Sequence, residues 1–525
     1  MLGAPAKKRL IALHGWSATV LAILLYVVML TGTITVLGEE IGYWSAGQTE
    51  RTVPFRDGFG EIVARLAEEV PQGQRETLTI SGMGPDTARL FFDGHGDGPD
   101  GPSTHIYRVV EVETATGQIL SDQVGPRDAI DFSRSEDFLA RFWRDMHIRL
   151  HVPGALGLYL TGIAGMAMVI AAITGVMIHR HIIQEMFVTG RPGNRLVSFR
   201  DRHNLAGVWS LPFALLLAIT GTFYSFATTV ALPVGAISAF NGDQDAAIAA
   251  VLRPAPPQID AQAEMADLDA IVARAEAAAG APVEIATIHN WGLTNAEVVT
   301  RHLESDTQLF PTQYLFDGVT GALIERVVPV GDGPSFGNAL LELMAPLHFG
   351  HFAGLPSKIV WVLLGAAMTY TIVTGLQLWL RRRADDPAWQ AGAHAMAVAV
   401  WGLPIALVAS AYGFFLASFG DGRDAATVWS FLLAVAVCAL WGVLARRRPA
   451  EDLARQMERL LGIALILLPV LRLQMGGLSW GEAIVNGAGS VLLIDVICVG
   501  LGFGCVWHAR SRAPAPTAEG TAPAE

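Results

Sequence analysis

Eight apolar runs, each long enough to cross a bilayer as a helix, constrain this chain more than any other feature of its sequence. They lie near residues 10–37, 155–178, 204–230, 358–380, 394–418, 426–445, 457–475 and 484–507. A hydrocarbon core of about 30 Å takes roughly 20 helical residues. In lipid every backbone N–H and C=O must be satisfied, which a helix achieves within one segment and an open strand does not. Only 16 % of the 525 residues are charged, too few to solvate that much apolar helix in water. The fold expected is a polytopic α-helical membrane protein with about eight transmembrane helices. The first run is too long for a signal-peptide core, and Gly38-Glu39-Glu40 follows it without a small-residue cleavage site, so it reads as a retained span.

Basic residues near span ends stay cytoplasmic, and they set an orientation here. Lys7-Lys8-Arg9 precede the first run, Arg191, Arg195, Arg200 and Arg202 lie between the second and third, Arg381-Arg382-Arg383 follow the fourth, and Arg446-Arg447-Arg448 follow the sixth. Both termini are then cytoplasmic, and residues 38–154 and 231–357 lie outside, in a bacterium the periplasm beyond the inner membrane. The chain divides into a first span (1–37), a first outer domain (38–154), a second span (155–181), a cytoplasmic loop (182–203), a third span (204–230), a second outer domain (231–357), a fourth span (358–383), an accessory four-helix bundle (384–512) and a disordered tail (513–525). A net charge of −12 argues against nucleic-acid binding. The three cysteines, Cys438, Cys498 and Cys505, all fall inside apolar runs, with no disulfide or iron-sulfur spacing.

The first 383 residues repeat. "HGWSATVLAILLYVVMLTGT" begins at His14 and "HNLAGVWSLPFALLLAITGT" at His203, each placing a histidine before an apolar run and Thr-Gly-Thr at its end. Between spans, an amphipathic helix pattern (59–70; 268–279) precedes alternating stretches that read as strands (77–81 and 106–111; 284–288 and 313–316), and each set closes in a Thr-Gly turn, "ETATGQIL" and "DGVTGALI". "MHIRLHVPG" and "LHFGHFAG" follow, then return spans ending "AAITGV" and "TIVTGL". Gly175 lies 24 residues after His151, and Gly375 lies 24 after His351.

A helix-plus-hairpin outer segment closing in such a turn and flanked by histidine-bearing spans resembles the PepSY-associated transmembrane family. That family includes bacterial iron-regulated inner-membrane proteins and ferric-siderophore reductases that carry b-type haem. The resemblance rests on "LHGW…LTGT", "DRHNLAGVW…ITGT", "LHFGHFAG" and the two Thr-Gly turns, and covers roughly residues 7–383. Glu113 stands where the turn motif has Asp. The resemblance implies two periplasmic α+β PepSY-like domains and two haems b.

Haem iron takes axial ligands from helices, and neutral imidazole is the usual choice in a helical bundle. In a two-fold repeat equivalent positions face each other, which pairs His14 with His203 at the inner side. The outer pair comes from His147 or His151 with His348 or His351. His348 in "LHFG" and His147 in "MHIR" are favoured, while His151 and His351 share the equal spacing to Thr-Gly. The haem-iron ligands expected are therefore His14, His203, His147 and His348. His179, His181, His394 and His508 read as interfacial. HxxxH and HxxH here lack the carboxylate or thiol that a mononuclear metal site would add. Arg141, Arg144 and Arg149 are placed to attract a haem propionate or an anionic chelate, with headgroup contact the plainer reading. Arg472 and Asp495 lie inside the last spans, where ionisable groups face a partner or a cavity.

The function expected is transmembrane electron transfer that reduces ferric iron, or a ferric siderophore, at the periplasmic face and releases ferrous iron. No cytoplasmic segment holds a Gly-rich dinucleotide fingerprint or is long enough for a flavin or nicotinamide domain. The donor is then membrane quinol or a separate cytoplasmic reductase. Two other classes fit the same sequence: a non-enzymatic PepSY scaffold or regulator binding a periplasmic partner, and an iron-chelate transporter using Arg472 and Asp495.

Overall fold

The computed structural model describes residues 4–46, 53–84, 86–98, 101–126, 129–130, 138–179, 182–188, 195–250, 255–259, 261–302, 312–327, 336–417 and 422–511. His181 and the tail 513–525 lie outside them. The helices are α1 (Ala4–Val20), α2 (Ala22–Thr35), α3 (Gly38–Ala46), α4 (Phe59–Glu68), α5 (Phe138–Arg149), α6 (Leu156–Ile178), α7 (Ile182–Glu185), α8 (Arg195–Phe226), α9 (Leu232–Ala239), α10 (Gln244–Ala249), α11 (Leu268–Ala279), α12 (Phe336–Phe349), α13 (Gly354–Arg381), α14 (Pro387–Leu416), α15 (Gly422–Leu444), α16 (Ala450–Gln474), α17 (Trp480–Val485) and α18 (Gly489–Ser511). Two compact units form. One contains Met1–Gly47, Arg134–Val230 and Lys358–Glu525; the other contains Gln48–Ser133 and Ala231–Ser357.

The first unit is helical and membrane-spanning. Among the described residues six helices are long and apolar enough to cross a bilayer, and α1 with α2 makes a seventh if the pair, bent by 65°, counts as one span. The stretch expected to be one straight span over 10–37 is thus broken at Leu21. The expected span at 457–475 lies in α16, whose Glu458, Arg459 and Arg472 make it more polar than the other spans. Glu458 and Arg472 are accommodated by neighbours rather than lipid: Glu458 binds His508 Nδ1 (2.5 Å), and Arg472 binds Asp495.

Glycines set the helix crossings of the repeat. A Cβ at Gly365 of α13 would meet Thr33 Oγ1 at 2.5 Å, and one at Gly165 of α6 would run into Thr222 Oγ1. The last threonine of each Thr-Gly-Thr therefore seats on a glycine in the return helix of the other half. Small residues at a crossing let helix backbones approach closely, which is how packing drives association where no hydrophobic effect operates between spans.

The C-terminal helices pack on the repeat through a shared core. Leu139, Phe142, Trp143 and Met146, spaced to share one face of α5, are buried against α14 and its neighbours, including Leu407, Ala411 and Phe431. Trp143 Nε1 donates to Ser410 Oγ (3.0 Å), and Tyr26 Oη donates to the Val400 carbonyl (2.6 Å). At the centre is a buried polar node. Asp495 accepts from Arg472 Nη2 (2.6 Å) and Nε (3.2 Å), Trp44 Nε1 (2.7 Å) and Trp480 Nε1 (2.9 Å). Arg472 and Asp495 are each about 1 % exposed at the side chain, so their charges persist only because the partners saturate one another.

The second unit is α+β. Its strands are β1 (Thr77–Gly84), β2 (Thr87–Gly98), β3 (Gly101–Glu113), β4 (Ile119–Gly125), β5 (Val283–His289), β6 (Glu297–His302), β7 (Gln313–Asp317) and β8 (Leu323–Val327). They form one antiparallel sheet in the order β4-β3-β2-β1-β5-β6-β7-β8. Each outer segment contributes a helix and a four-stranded meander, and the two meanders join at β1 and β5, where Thr79 pairs with Thr287 and Ile80 with Ala286. Helices α4 and α11 cover one face, burying Phe59, Val63, Leu66, Ile271 and Val272 against Leu78, Leu90, Phe92 and Ile288. Asp269 of α11 accepts from Gly58 N (3.0 Å) and Gly60 N (2.7 Å), satisfying amides at the start of α4 from across the repeat.

Candidate functional site

Three of the histidines named by the sequence occupy one kind of seat, built from a backbone carbonyl and a helical glycine one turn further on. His14 Nδ1 meets the Ala171 carbonyl at 2.9 Å, and a Cβ at Gly175 would lie 3.4 Å from its Cε1. His203 Nδ1 meets the Thr371 carbonyl at 2.9 Å, and a Cβ at Gly375 would lie 3.0 Å from its Cε1. His147 Nδ1 meets the Val28 carbonyl at 2.8 Å, and a Cβ at Gly32 would lie 2.7 Å from its Cε1. The residue between carbonyl and glycine is threonine each time: Thr174, Thr374 and Thr31. Their hydroxyls donate to the carbonyls of Ile170, Tyr370 and Val27 within their own helices, which ties the side chains down beside the rings.

This seat fixes the chemistry of the rings. A carbonyl oxygen only accepts, so the proton of each neutral imidazole sits on Nδ1 and Nε2 carries the lone pair. That is the tautomer of a metal-ligating histidine whose second nitrogen is held by the protein. His14 and His203 lie with ring centroids 6.3 Å apart and planes at 67°. One ion between two imidazoles bonded at about 2.0–2.1 Å on opposite sides separates ring centres by roughly 6 Å. The donor set fits the two axial positions of a haem. Among the described residues no group of three or more His, Cys, Asp or Glu comes together for a bare metal ion.

Three Thr-Gly pairs, Thr31-Gly32, Thr174-Gly175 and Thr374-Gly375, thus each receive a histidine ring. Measured along α6, His14 and His147 lie at different levels. His14 reaches Ala171, whereas Ile148, next to His147, accepts from Thr161 Oγ1 (3.0 Å). The ten-residue interval is about 15 Å along the helix.

His151 is placed differently. It follows Leu150, both at positive φ (54° and 57°), at the end of α5, and its exposed ring stacks on Phe142 at 4.3 Å. The 24-residue spacing it shares with His351 therefore marks the turn, and His147 takes the helical seat. In the second unit His351 is exposed, and the half-buried His348 meets Phe349 edge-on at 5.4 Å. Trp379 packs on Gly15 beside His14, where a Cβ would stand 2.6 Å from its Cζ3, and Trp16 meets it at 5.0 Å.

The carbonyls of Ala171, Thr371 and Val28 were beyond sequence reasoning, since every residue has one. The signal that marks them is the threonine-glycine pair three and four positions later.

The family model for the PepSY-associated TM region matches residues 11–382 of this chain. An uncharacterized protein of Pseudomonas aeruginosa is 24 % identical over 256 residues, 46 % of this chain and 64 % of that protein's length. The match therefore spans just under two thirds of that relative.

Proposed function

The chain belongs to the family of the PepSY-associated TM region, and from that membership we propose that it is a haem-b electron-transfer protein of the bacterial cytoplasmic membrane. It reduces ferric iron, held in a siderophore or similar chelate, on the outer side. The observation that carries this reading is the His14–His203 pair, two imidazoles fixed by Ala171 and Thr371 with ring centres 6.3 Å apart. Bound haem supplies a centre that takes up and gives up one electron.

The chain's own residues do the rest. His14 and His203 supply Nε2 at the inner site, while their Nδ1–H groups donate to the carbonyls of Ala171 and Thr371, which holds each ring in one tautomer and orientation. His147 supplies the same arrangement at the outer site, for which the sequence repeat nominates His348 as counterpart. Gly32 and Gly375 leave the rings of His147 and His203 space that a side chain would take, and Gly175 lies in looser contact with His14. If His14 and His203 both held the iron, no ligand position would remain for oxygen chemistry, which would favour outer-sphere transfer. The substrate, ferric iron, gains one electron and leaves its hard oxygen donors as ferrous iron, which they hold more weakly. The electron comes from membrane quinol or a separate reductase at the side of the termini.

The test is an optical spectrum of the detergent-purified chain, oxidised and dithionite-reduced, with a pyridine haemochrome assay. Two six-coordinate low-spin haems b per chain are expected, and their reoxidation by a ferric siderophore. A chain free of haem after expression with ample haem sinks this reading and leaves a partner-binding scaffold as the account of the sheet unit.

A further inference from the structure

We propose that His95 and His105 form a binding site for a divalent transition-metal ion on the sheet, independent of any haem in the helical unit. In β2 and β3 these residues stand directly opposite each other, and their ring centroids are 4.7 Å apart. Strand alternation places them on the face turned away from α4 and α11, since Leu90 and Phe92 point into the core. His105 stacks on Tyr107 (4.8 Å, 15°), which stacks on Phe91 (5.6 Å), so its plane is held.

Each ring has one nitrogen committed to a carboxylate. His95 Nδ1 bonds Glu76 Oε1 at 2.9 Å, and His105 Nε2 bonds Asp93 Oδ1. An ionised carboxylate only accepts, so those nitrogens carry the protons, and His95 Nε2 and His105 Nδ1 present lone pairs. A metal-binding histidine is typically oriented by a carboxylate in this way. Two nitrogens each about 2.0–2.1 Å from one ion lie roughly 3 Å apart, within reach of rings at this separation.

The backbone under the pair is fixed from behind. The 3-10 turn Gln72–Gln74 packs on the opposite side of β2. A Cβ at Gly73 would meet the His95 carbonyl at 2.6 Å, and one at Gly96 would meet Gln74 Nε2 at 3.0 Å. Glu76 follows that same turn, so one close contact positions both His95 and its carboxylate. The site offers two protein ligands and leaves the remaining positions to water. Imidazole nitrogen selects Cu²⁺, Ni²⁺ or Zn²⁺ over Ca²⁺ and Mg²⁺, with Cu²⁺ the tightest.

The experiment titrates the full-length chain in detergent with CuCl₂, read by calorimetry and by electron paramagnetic resonance of the bound ion. One tight Cu²⁺ per chain with nitrogen coordination is expected. His95→Ala and His105→Ala should each weaken it by about tenfold or more, and Glu76→Gln and Asp93→Asn by about tenfold, the usual cost of losing an orienting partner. His95→Gln and His105→Gln keep the side-chain bulk if an alanine variant fails to fold. No tight class in the wild type, or one unchanged in stoichiometry and resonance when both histidines are replaced, overturns the proposal.

Discussion

The imidazole of His147 lies in the space that a side chain at Gly32 would need: a methyl there would stand 2.7 Å from Cε1. Gly375 and Gly175 face His203 and His14 at 3.0 and 3.4 Å, so the three seats are graded in tightness. Alanine at Gly32 should therefore be the most disruptive, at Gly375 intermediate, and at Gly175 close to neutral. Overpacking of this kind costs about 1–3 kcal/mol. Thermal unfolding of the three variants, alongside haem per chain, checks the order; equal effects would mean that the glycines do not set ring position.

Replacing the histidines separates the seat from the spacing. His14→Ala and His203→Ala should each lower haem content by about one per chain, because an axial position is lost. His147→Ala should remove the other haem, while His151→Ala, whose ring stacks on Phe142 outside the helical seat, should retain both. Haemochrome assays on the four variants decide it, and loss of haem in His151→Ala alone would transfer the outer site to that residue.

The Asp495 node predicts an asymmetry. Removing one partner, as in Arg472→Ala or Asp495→Ala, leaves a buried charge and should cost about 3–5 kcal/mol. The double change Arg472→Met with Asp495→Leu should cost much less, since nothing charged remains to be stranded. Trp44→Phe removes a single donor and should fall between the double variant and the single ones. The measurement is unfolding in detergent followed by tryptophan fluorescence, with Trp44→Phe compared on a separate probe.

Ser410 links the accessory bundle to the helix that presents His147. Ser410→Ala strands the buried Trp143 indole N–H, at a cost of about 1–3 kcal/mol. If α14 holds α5 in place, the same variant should also broaden or shift the spectrum of the outer haem alone. An unchanged spectrum with lowered stability would confine Ser410 to packing.

The Thr-Gly turn supplies a pH test. Asp317 Oδ1 accepts from Thr320 N (2.7 Å) and Val319 N (3.0 Å), and these bonds, Thr320 first, hold its carboxyl below the ordinary value of 3.8. Its contribution is complete above the unfolded value and lost as pH falls through the lower folded one. Wild type should then exceed Asp317→Asn in stability by a constant margin near neutral pH, and the margin should shrink only below about pH 4. A margin that shrinks already near pH 6 would point to a different titrating group.

The sequence by itself determined what is periodic and local: the apolar runs, the repeat, the two amphipathic helices, and the histidines worth considering. Strands β1, β3, β5 and β7 were legible because they alternate between core and open face. Strands β4 and β8 were not, since edge strands with exposed Ile119, Leu120, Leu323 and Ile324 carry no inward pattern. Glycines in β2 hid its period, and β6 is only six residues long. The tertiary structure alone decided that the two meanders share one sheet, because the β1–β5 pairing joins residues some 200 positions apart. It also decided which histidine of a close pair is seated, and that Arg472 and Asp495 bind each other. In both cases the deciding partner is either a backbone carbonyl, which no residue type announces, or a side chain on a helix distant in sequence.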